Sequence, residues 1–229
     1  MEIFSMFVYP HVIAFVFGPI IVICIPLWFV CKAKLNVLFR DLGVPVALFF
    51  SGVGMTGMVI GITDVKEYGP ATGINLLPII YGGVVSALGY FSTFKRSEPL
   101  SQNNQQTAGW KAITFILVNF LGFILLAMQG AADLEAFLNP VALVVFVTTI
   151  MAAILLSDSN HRVEVLCQAS LLSSMISVVL GLVVLYQSFI GEGLNEGMYE
   201  GLSIATNGLN YGLLSYISIY IVSYKFGTT

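Results

Sequence analysis

The sequence predicts an all-α integral membrane protein. It reads as a polytopic bundle of seven transmembrane helices, with the N-terminus outside and the C-terminus cytoplasmic. Three observations carry this prediction. Of 229 residues, 58% are hydrophobic and only 9% are charged, whereas a soluble domain carries about 25% charged residues. The mean hydropathy is +0.94. Seven apolar runs reach the length of about 20 residues that a bilayer crossing needs, and the basic residues collect in alternate gaps between them. Such a composition excludes a soluble globular enzyme, a disordered chain and a nucleic-acid binder.

The first run, 12–31, is preceded by one charge, Glu2. It has no basic start and no small-residue cleavage site, so it reads as a retained anchor rather than a signal peptide. The second run, 43–62, places Gly54, Gly57 and Gly61 on one face, and the third, 71–93, does the same with Gly82, Gly83, Ser86 and Gly89. Small residues in register are the usual mark of close helix contact in membranes. Pro78 stands in the middle of the third run. It removes a donor and frees the carbonyl of Ile74, and Asn75 lies one turn earlier to help satisfy it, so a kink is predicted there. A polar segment, 97–109, containing Ser101-Gln102-Asn103-Asn104-Gln105-Gln106 follows. It is too short and too polar to build a core and reads as a cytoplasmic linker. It divides an N-terminal three-helix part, 1–96, from a C-terminal four-helix part, 110–229. The remaining runs are 110–130, 138–157, 167–190 and 200–224.

Orientation follows from the Lys/Arg bias. Lys32, Lys34, Arg40, Lys95, Arg96, Lys111, Arg162 and Lys225 fall in the first, third and fifth gaps or at the C-terminal end; the other gaps hold Lys66 alone. Acidic residues lean the other way: Glu2, Asp64, Glu67, Asp133, Glu135, Glu192, Glu196 and Glu200. Trp28 and Trp110 then lie at the cytoplasmic interface, where indoles prefer to sit.

No charged residue or histidine sits in the middle of a run, and such groups are what usually mark ion and proton paths. His11 and His161 lie at run ends and read as structural. Cys24, Cys31 and Cys167 read as small buried hydrophobes. There is no nucleophile–base set, no metal-ligand set and no phosphate loop, so neither an enzyme nor a metal or other cofactor is expected. What the runs do contain is polar stripes. In the sixth, Ser170, Ser173, Ser174, Ser177, Gly181 and Ser188 share about 100° of arc at helical periodicity. In the seventh, Ser203, Asn207, Asn210, Tyr211 and Ser218 share another. Two readings stay open: packing faces joined by small residues and hydrogen bonds, or the wall of a hydrated ion path.

The second and third runs look like the sixth and seventh. Each pair has a Ser/Gly-containing helix, an acidic Gly-bearing outer loop, and a helix that leads to Tyr-Gly: Tyr81-Gly82 in one, Tyr211-Gly212 in the other. These are parallel repeats, which speaks against an inverted-repeat transporter. The stretches Ser51-Gly52-Val53-Gly54-Met55, Val65-Lys66-Glu67-Tyr68-Gly69-Pro70-Ala71 and Ile80-Tyr81-Gly82-Gly83 resemble the last two transmembrane helices of the MotA/TolQ/ExbB ion-channel subunit family, in its MotA/PomA form. The stretch 120–157, with Met128-Gln129-Gly130, Leu134-Glu135-Ala136-Phe137 and Asn139-Pro140, resembles that family's first hairpin. The family usually has an acidic residue where Asn139 stands, and a large cytoplasmic segment where this chain has only 158–166. A torque-bearing cytoplasmic surface is therefore not expected.

The resemblance implies an ion-motive subunit in which a partner's membrane carboxylate carries protons or sodium. It implies a homo-oligomeric ring, commonly a pentamer, a single-span partner bearing a membrane Asp, and a bacterial inner membrane. Ser51 stands where the family's third helix has a threonine. Pro78 lies near the place of the ion-facing threonine of its last helix, and Thr206 or Asn207 would serve in the second hairpin. The ion-path candidates are then Ser51, Ser170, Ser173, Ser177, Thr206, Asn207 and Asn210; the packing candidates are Gly54, Gly57, Gly61, Gly82, Gly181 and Gly212. Two further function classes remain. A small-solute secondary transporter would bind at Asn75, Pro78, Asn207 and Asn210, and a non-transporting scaffold subunit would use the stripes only to hold its helices together.

Overall fold

The computed structural model describes residues 10–61, 65–94, 109–157, 161–188 and 196–226. The described residues form an all-α structure. Its seven α-helices are α1 (Pro10–Cys31), α2 (Leu35–Gly61), α3 (Val65–Phe94), α4 (Trp110–Ala131), α5 (Pro140–Leu156), α6 (Arg162–Ser188) and α7 (Glu196–Phe226), with a 3₁₀ turn at Leu134–Phe137. The linker at 97–109, apart from Gly109, and the loop acids Asp64 and Glu192 lie outside the described residues.

Five helices are long and apolar enough to cross a membrane: α1, α2, α3, α4 and α6. The 17 residues of α5 span about 25 Å at 1.5 Å per residue. Several helices run past their apolar segments. α2 begins at Leu35 and α6 at Arg162, ahead of the apolar runs at 43 and 167, because backbone hydrogen bonding continues where hydrophobicity stops. Asn139 starts α5 with a side-chain cap: its Oδ1 accepts from the Ala142 amide at 3.0 Å, and Pro140 takes the first position. That pairing supplies one of the donors a helix start leaves open. α1 ends at Cys31, where Lys32 adopts a left-handed φ of 52° and the Ala33 amide reaches back to the Leu27 carbonyl at 3.4 Å.

The helices assemble into two compact units. One comprises the described residues of 1–51, 76–126 and 220–229. Its core stacks Phe15 and Phe50 with Phe123 packed edge-on to both, over buried Ile20, Ile23, Leu27, Leu38, Leu42, Ile113, Ile116 and Phe120. The other comprises 52–75 and 127–219, with α5 packed along α6.

Side-chain polarity departs from that of a soluble fold, although the core itself is mainly apolar. Large apolar side chains face outward: Phe29, Phe91, Leu126, Leu156 and Met175 are all well exposed. Meanwhile Ser51, Thr56, Ser170, Ser173, Ser174, Ser177, Thr206, Asn207 and Asn210 are buried. In a bilayer, apolar surface gains nothing by leaving lipid, so close backbone approach and polar pairing hold helices together instead. The clearest case is α7. It is not among the five apolar spans, yet no residue from 201 to 225 is exposed.

Candidate functional site

The site is built on α7 and on what surrounds it in the second unit. One face of α7 is nearly bare. Gly201, Ala205, Gly208 and Gly212 follow one another along it, and α6 closes on them. A methyl group at Gly201 would stand 2.6 Å from the Leu185 amide nitrogen, one at Gly208 would run into the Ser177 hydroxyl, and one at Gly212 would meet the Ser170 carbonyl and the Ser174 hydroxyl. Gly181 lies against Gly201 and Ala205 from the other side. The α6 serines are thus the counter-surface of a helix pair. Most of their hydroxyls turn back on their own helix: Ser170 donates to the Leu166 carbonyl at 2.8 Å and Ser173 to the Ser170 carbonyl at 2.8 Å. Ser174 sits 3.4 Å from the Leu209 carbonyl across the seam, and Ser170 pairs with the Ser215 hydroxyl at 3.0 Å.

The adjacent face of α7 is polar and ties down the start of α5. The Tyr211 hydroxyl donates to the Phe137 carbonyl at 2.6 Å and accepts from the Asn139 amide at 3.0 Å. Asn207 donates through Nδ2 to the Ala136 carbonyl at 3.0 Å and to the Ser203 hydroxyl at 3.2 Å. The Asn139 Nδ2 donates to that same hydroxyl, also at 3.2 Å. The 3₁₀ turn exposes carbonyls that no helix satisfies, and α7 supplies the donors they need.

That network leaves a remainder. Buried in the same unit and without a hydrogen-bond partner are Asn207 Oδ1, both polar atoms of the Asn210 carboxamide, and Ser177 Oγ. Asn210 is 3% exposed, and its oxygen rests against the α-carbon of Gly52 on α2. Thr56, one turn on, donates back to the Gly52 carbonyl at 3.0 Å. Gly54 is covered in the same way by the Asn75 carboxamide of α3, whose Cγ lies 3.0 Å from where a methyl group would stand. A buried polar group with no partner costs about 1–3 kcal/mol, so Asn210 is an expensive residue at a place where Leu or Gly would pack without that penalty.

The remaining candidates fall as follows. Thr206 is buried and bonds the Leu202 carbonyl of its own helix at 3.0 Å, and Ser51 is buried in α2. Pro78 is buried within α3, which runs unbroken from Val65 to Phe94. Gly57 lies 2.7 Å, measured from a notional methyl, from the Ala131 carbonyl, and Gly82 is pressed against Ala47 and Gly43, while Gly61 has nothing within 4 Å. Sequence reasoning missed two features. The role of Asn139, Ser203 and Tyr211 as one network depends on a 3₁₀ turn that hydropathy does not register. In the first unit, the Tyr220 hydroxyl donates to Asp41 at 3.1 Å and lies 3.4 Å from the Tyr224 hydroxyl, with the Arg40 Nε bonded to Asp41 at 2.6 Å. The signal there was an acidic residue just inside an apolar helix and two tyrosines four apart on another. Among the described residues no cluster of His, Cys, Asp or Glu is arranged to hold a metal.

The chain matches no protein-family model, no curated protein and no solved structure.

Proposed function

We propose that this chain is an ion-conducting subunit of a membrane complex, of the MotA/ExbB kind, and that the ion passes the asparagines of α7. The observation that carries this reading is the buried, unpaired carboxamide of Asn210, with Asn207 Oδ1 and Ser177 Oγ also unpaired, on the most deeply buried helix of the second unit. Polar groups kept at such expense in a membrane protein mark a path for something polar. All seven helices cross the bilayer in this reading, α5 as a short span and α7 as a polar one shielded by its neighbours, with the Lys/Arg-rich gaps cytoplasmic. The α2–α3 and α6–α7 hairpins are parallel repeats. In support, Gly82 of one Tyr-Gly pair meets Gly43 and Ala47, and Gly212 of the other meets Ser170 and Ser174. The subunit forms a ring in a bacterial inner membrane around a single-span partner, whose membrane aspartate supplies the titrating group the chain's own mid-spans lack.

Native mass spectrometry of the tagged protein, extracted gently from its own cell, tests this directly. A ring of several copies with a single-span, Asp-bearing partner is expected. A monomer or dimer without one sinks the ion-motive reading.

One observation favours a second reading. Asn210 and Asn75 press on Gly52 and Gly54 from opposite sides of α2, so two carboxamides bracket one helix within this chain alone, and a small-solute transporter would use them. Uptake by the protein alone in vesicles, lost in Asn75→Leu and Asn210→Leu alike, distinguishes the two.

A further inference from the structure

The outer face of α4 carries a residue that does not suit lipid. Asn119 is the tenth of the 22 residues of α4, near the middle of an apolar span, and it is exposed. Its Nδ2 donates to the Phe115 carbonyl at 2.7 Å, one turn back on the same helix. A carboxamide has two donor hydrogens and an oxygen with two lone pairs, so that bond leaves one hydrogen and the whole oxygen over. Among the described residues nothing else bonds them, and hydrocarbon offers no partner. Polar side chains within spans almost always face the interior of a helix bundle. Asn119 faces outward, which marks its face as one that another helix covers.

The residues around it have the spacing of a helix–helix seam. Ala112, Phe115, Asn119, Gly122 and Leu126 follow at intervals of three, four, three and four. That is the alternation of the core positions a and d of a heptad, with Asn119 at an a position. All five belong to the first compact unit, and none of them is buried. Phe115 and Leu126 are 63% and 71% exposed, and a methyl group on Gly122 would meet nothing within 4 Å. On the other side of the same helix, Ile113, Ile116, Phe120 and Ile124 are buried. Thus α4 has one seam filled by its own unit and a second one open.

The polar group in that open seam says what fits it. Copies of one chain insert in one orientation, so α4 helices from two copies lie parallel when side by side. In a parallel pair each a residue meets its own counterpart, and Asn119 then faces Asn119. A carboxamide is its own complement: the spare donor of each pairs with the spare acceptor of the other. Gly122, one turn on, lets the two backbones approach.

We propose that the outer face of α4 binds the α4 of a second copy of this chain, as a parallel pair held in register by reciprocal hydrogen bonds between the two Asn119 carboxamides. A single asparagine at an a position fixes register and partner number in such a pair. An isologous contact joins two copies and stops, so this one is separate from any contact that closes a ring. It does not depend on the ion-path reading of α7.

Single cysteines placed along α4, oxidised with copper-phenanthroline in the native membrane, test the contact. The parent chain, with its own three free cysteines, sets the background. Phe115→Cys, Gly122→Cys and Leu126→Cys should each link to the same position of a second copy and give a dimer band on a non-reducing gel. Leu121→Cys lies on the same helix and is 40% exposed, but it stands about 130° round from the seam and should stay at background. Should a cysteine at 122 hold the helices apart, the other two seam positions carry the test. Energy transfer between labelled copies, diluted in vesicles, then reads the dissociation constant. Asn119→Leu should raise it about three- to tenfold, the range that interhelical hydrogen bonds span in membranes. Asn119→Gln keeps the amide and should restore the parent value. Circular dichroism should be unchanged in both variants, because the side chain is exposed. Equal linking at Leu121→Cys, or none at the seam, overturns the proposal. A seam cysteine that links to a band of another mass also overturns it, in favour of a different protein on this face. An unchanged dissociation constant in Asn119→Leu removes the carboxamide from the contact and overturns the assignment as well.

Discussion

In the α2–α3 hairpin, Gly82 lies against Gly43 and Ala47, and Gly89 lies against Arg40 and Asn36. In the α6–α7 hairpin, Gly212 lies against Ser170 and Ser174, and Gly208 against Ser177. Both pairs are zipped by missing side chains, yet they differ in what fills the seam. Around Gly82 and Gly89 the first uses hydrogen and methyl groups, with the Ser86 hydroxyl crossing to the Arg40 carbonyl at 2.7 Å; further along, the Thr72 hydroxyl reaches Met58 Sδ at 3.5 Å and the Asn75 carboxamide covers Gly54. The second uses a serine stripe. The first hairpin therefore demonstrates that close contact needs only small volume. Serine satisfies that need too, because its hydroxyl finds a carbonyl on its own helix, as Ser170 and Ser173 do. Packing accounts for Ser170 and Ser173, though not for the unpaired Ser177 hydroxyl. It does not account for Asn210, whose carboxamide is large, buried and unpaired.

The largest effect should come from closing the zippers. Gly212→Leu pushes a side chain into the Ser170 carbonyl and the Ser174 hydroxyl, and Gly82→Leu does the same against Gly43 and Ala47. Overpacking of this kind costs about 3 kcal/mol or more when the obstacle is backbone. Loss of the monodisperse peak in size-exclusion chromatography, for both variants, is the expected result. If one hairpin tolerates the leucine, the two are not zipped alike.

Next is Tyr211→Phe. It strips the partner from both the Asn139 amide and the Phe137 carbonyl, and leaving these unpaired should destabilise by about 1–3 kcal/mol. A lowered midpoint in a thermal melt in detergent checks it.

Asn210→Leu separates function from packing most sharply. An unpaired amide gives way to an apolar group of similar size, so stability should hold or rise by about 1 kcal/mol, while ion flux in membrane vesicles falls to background. A destabilised Asn210→Leu protein would show that the carboxamide is a structural group after all. Asn207→Leu should behave differently, losing stability as well as flux, because its Nδ2 already holds Ala136 and Ser203.

The smallest effects separate the glycines of α2. Gly61→Ala adds a methyl group to open space and should leave stability within about 0.5 kcal/mol. Gly57→Ala drives the methyl towards the Ala131 carbonyl and should lower the melting midpoint measurably. Equal behaviour of the two would mean that the glycine face acts through backbone flexibility rather than contact.

The all-α class and the apolar helices were legible because a bilayer imposes length and composition on each crossing separately. Helix ends were less so: α2 starts eight residues before the apolar run that marks it, since hydropathy follows lipid contact and backbone bonding does not. The glycines of the second run illustrate the limit. They share one face by periodicity, yet Gly54 is covered by Asn75, Gly57 by Ala131 and Gly61 by nothing. Periodicity assigns a face but not a neighbour.

What the sequence by itself determined was the solvent of each segment: which stretches are apolar enough for lipid, and where polar residues recur at helical spacing. Those properties are local, a matter of side-chain transfer and a 3.6-residue turn. Only the tertiary structure decided which polar atoms have partners. Tyr211, Ser203 and Asn207 find theirs some 70 residues away, on a 3₁₀ turn and a helix cap, and Asn210, on the same stripe, finds none. Partnering is a property of approach between distant backbones to within about 3 Å, and no periodicity along one helix encodes it.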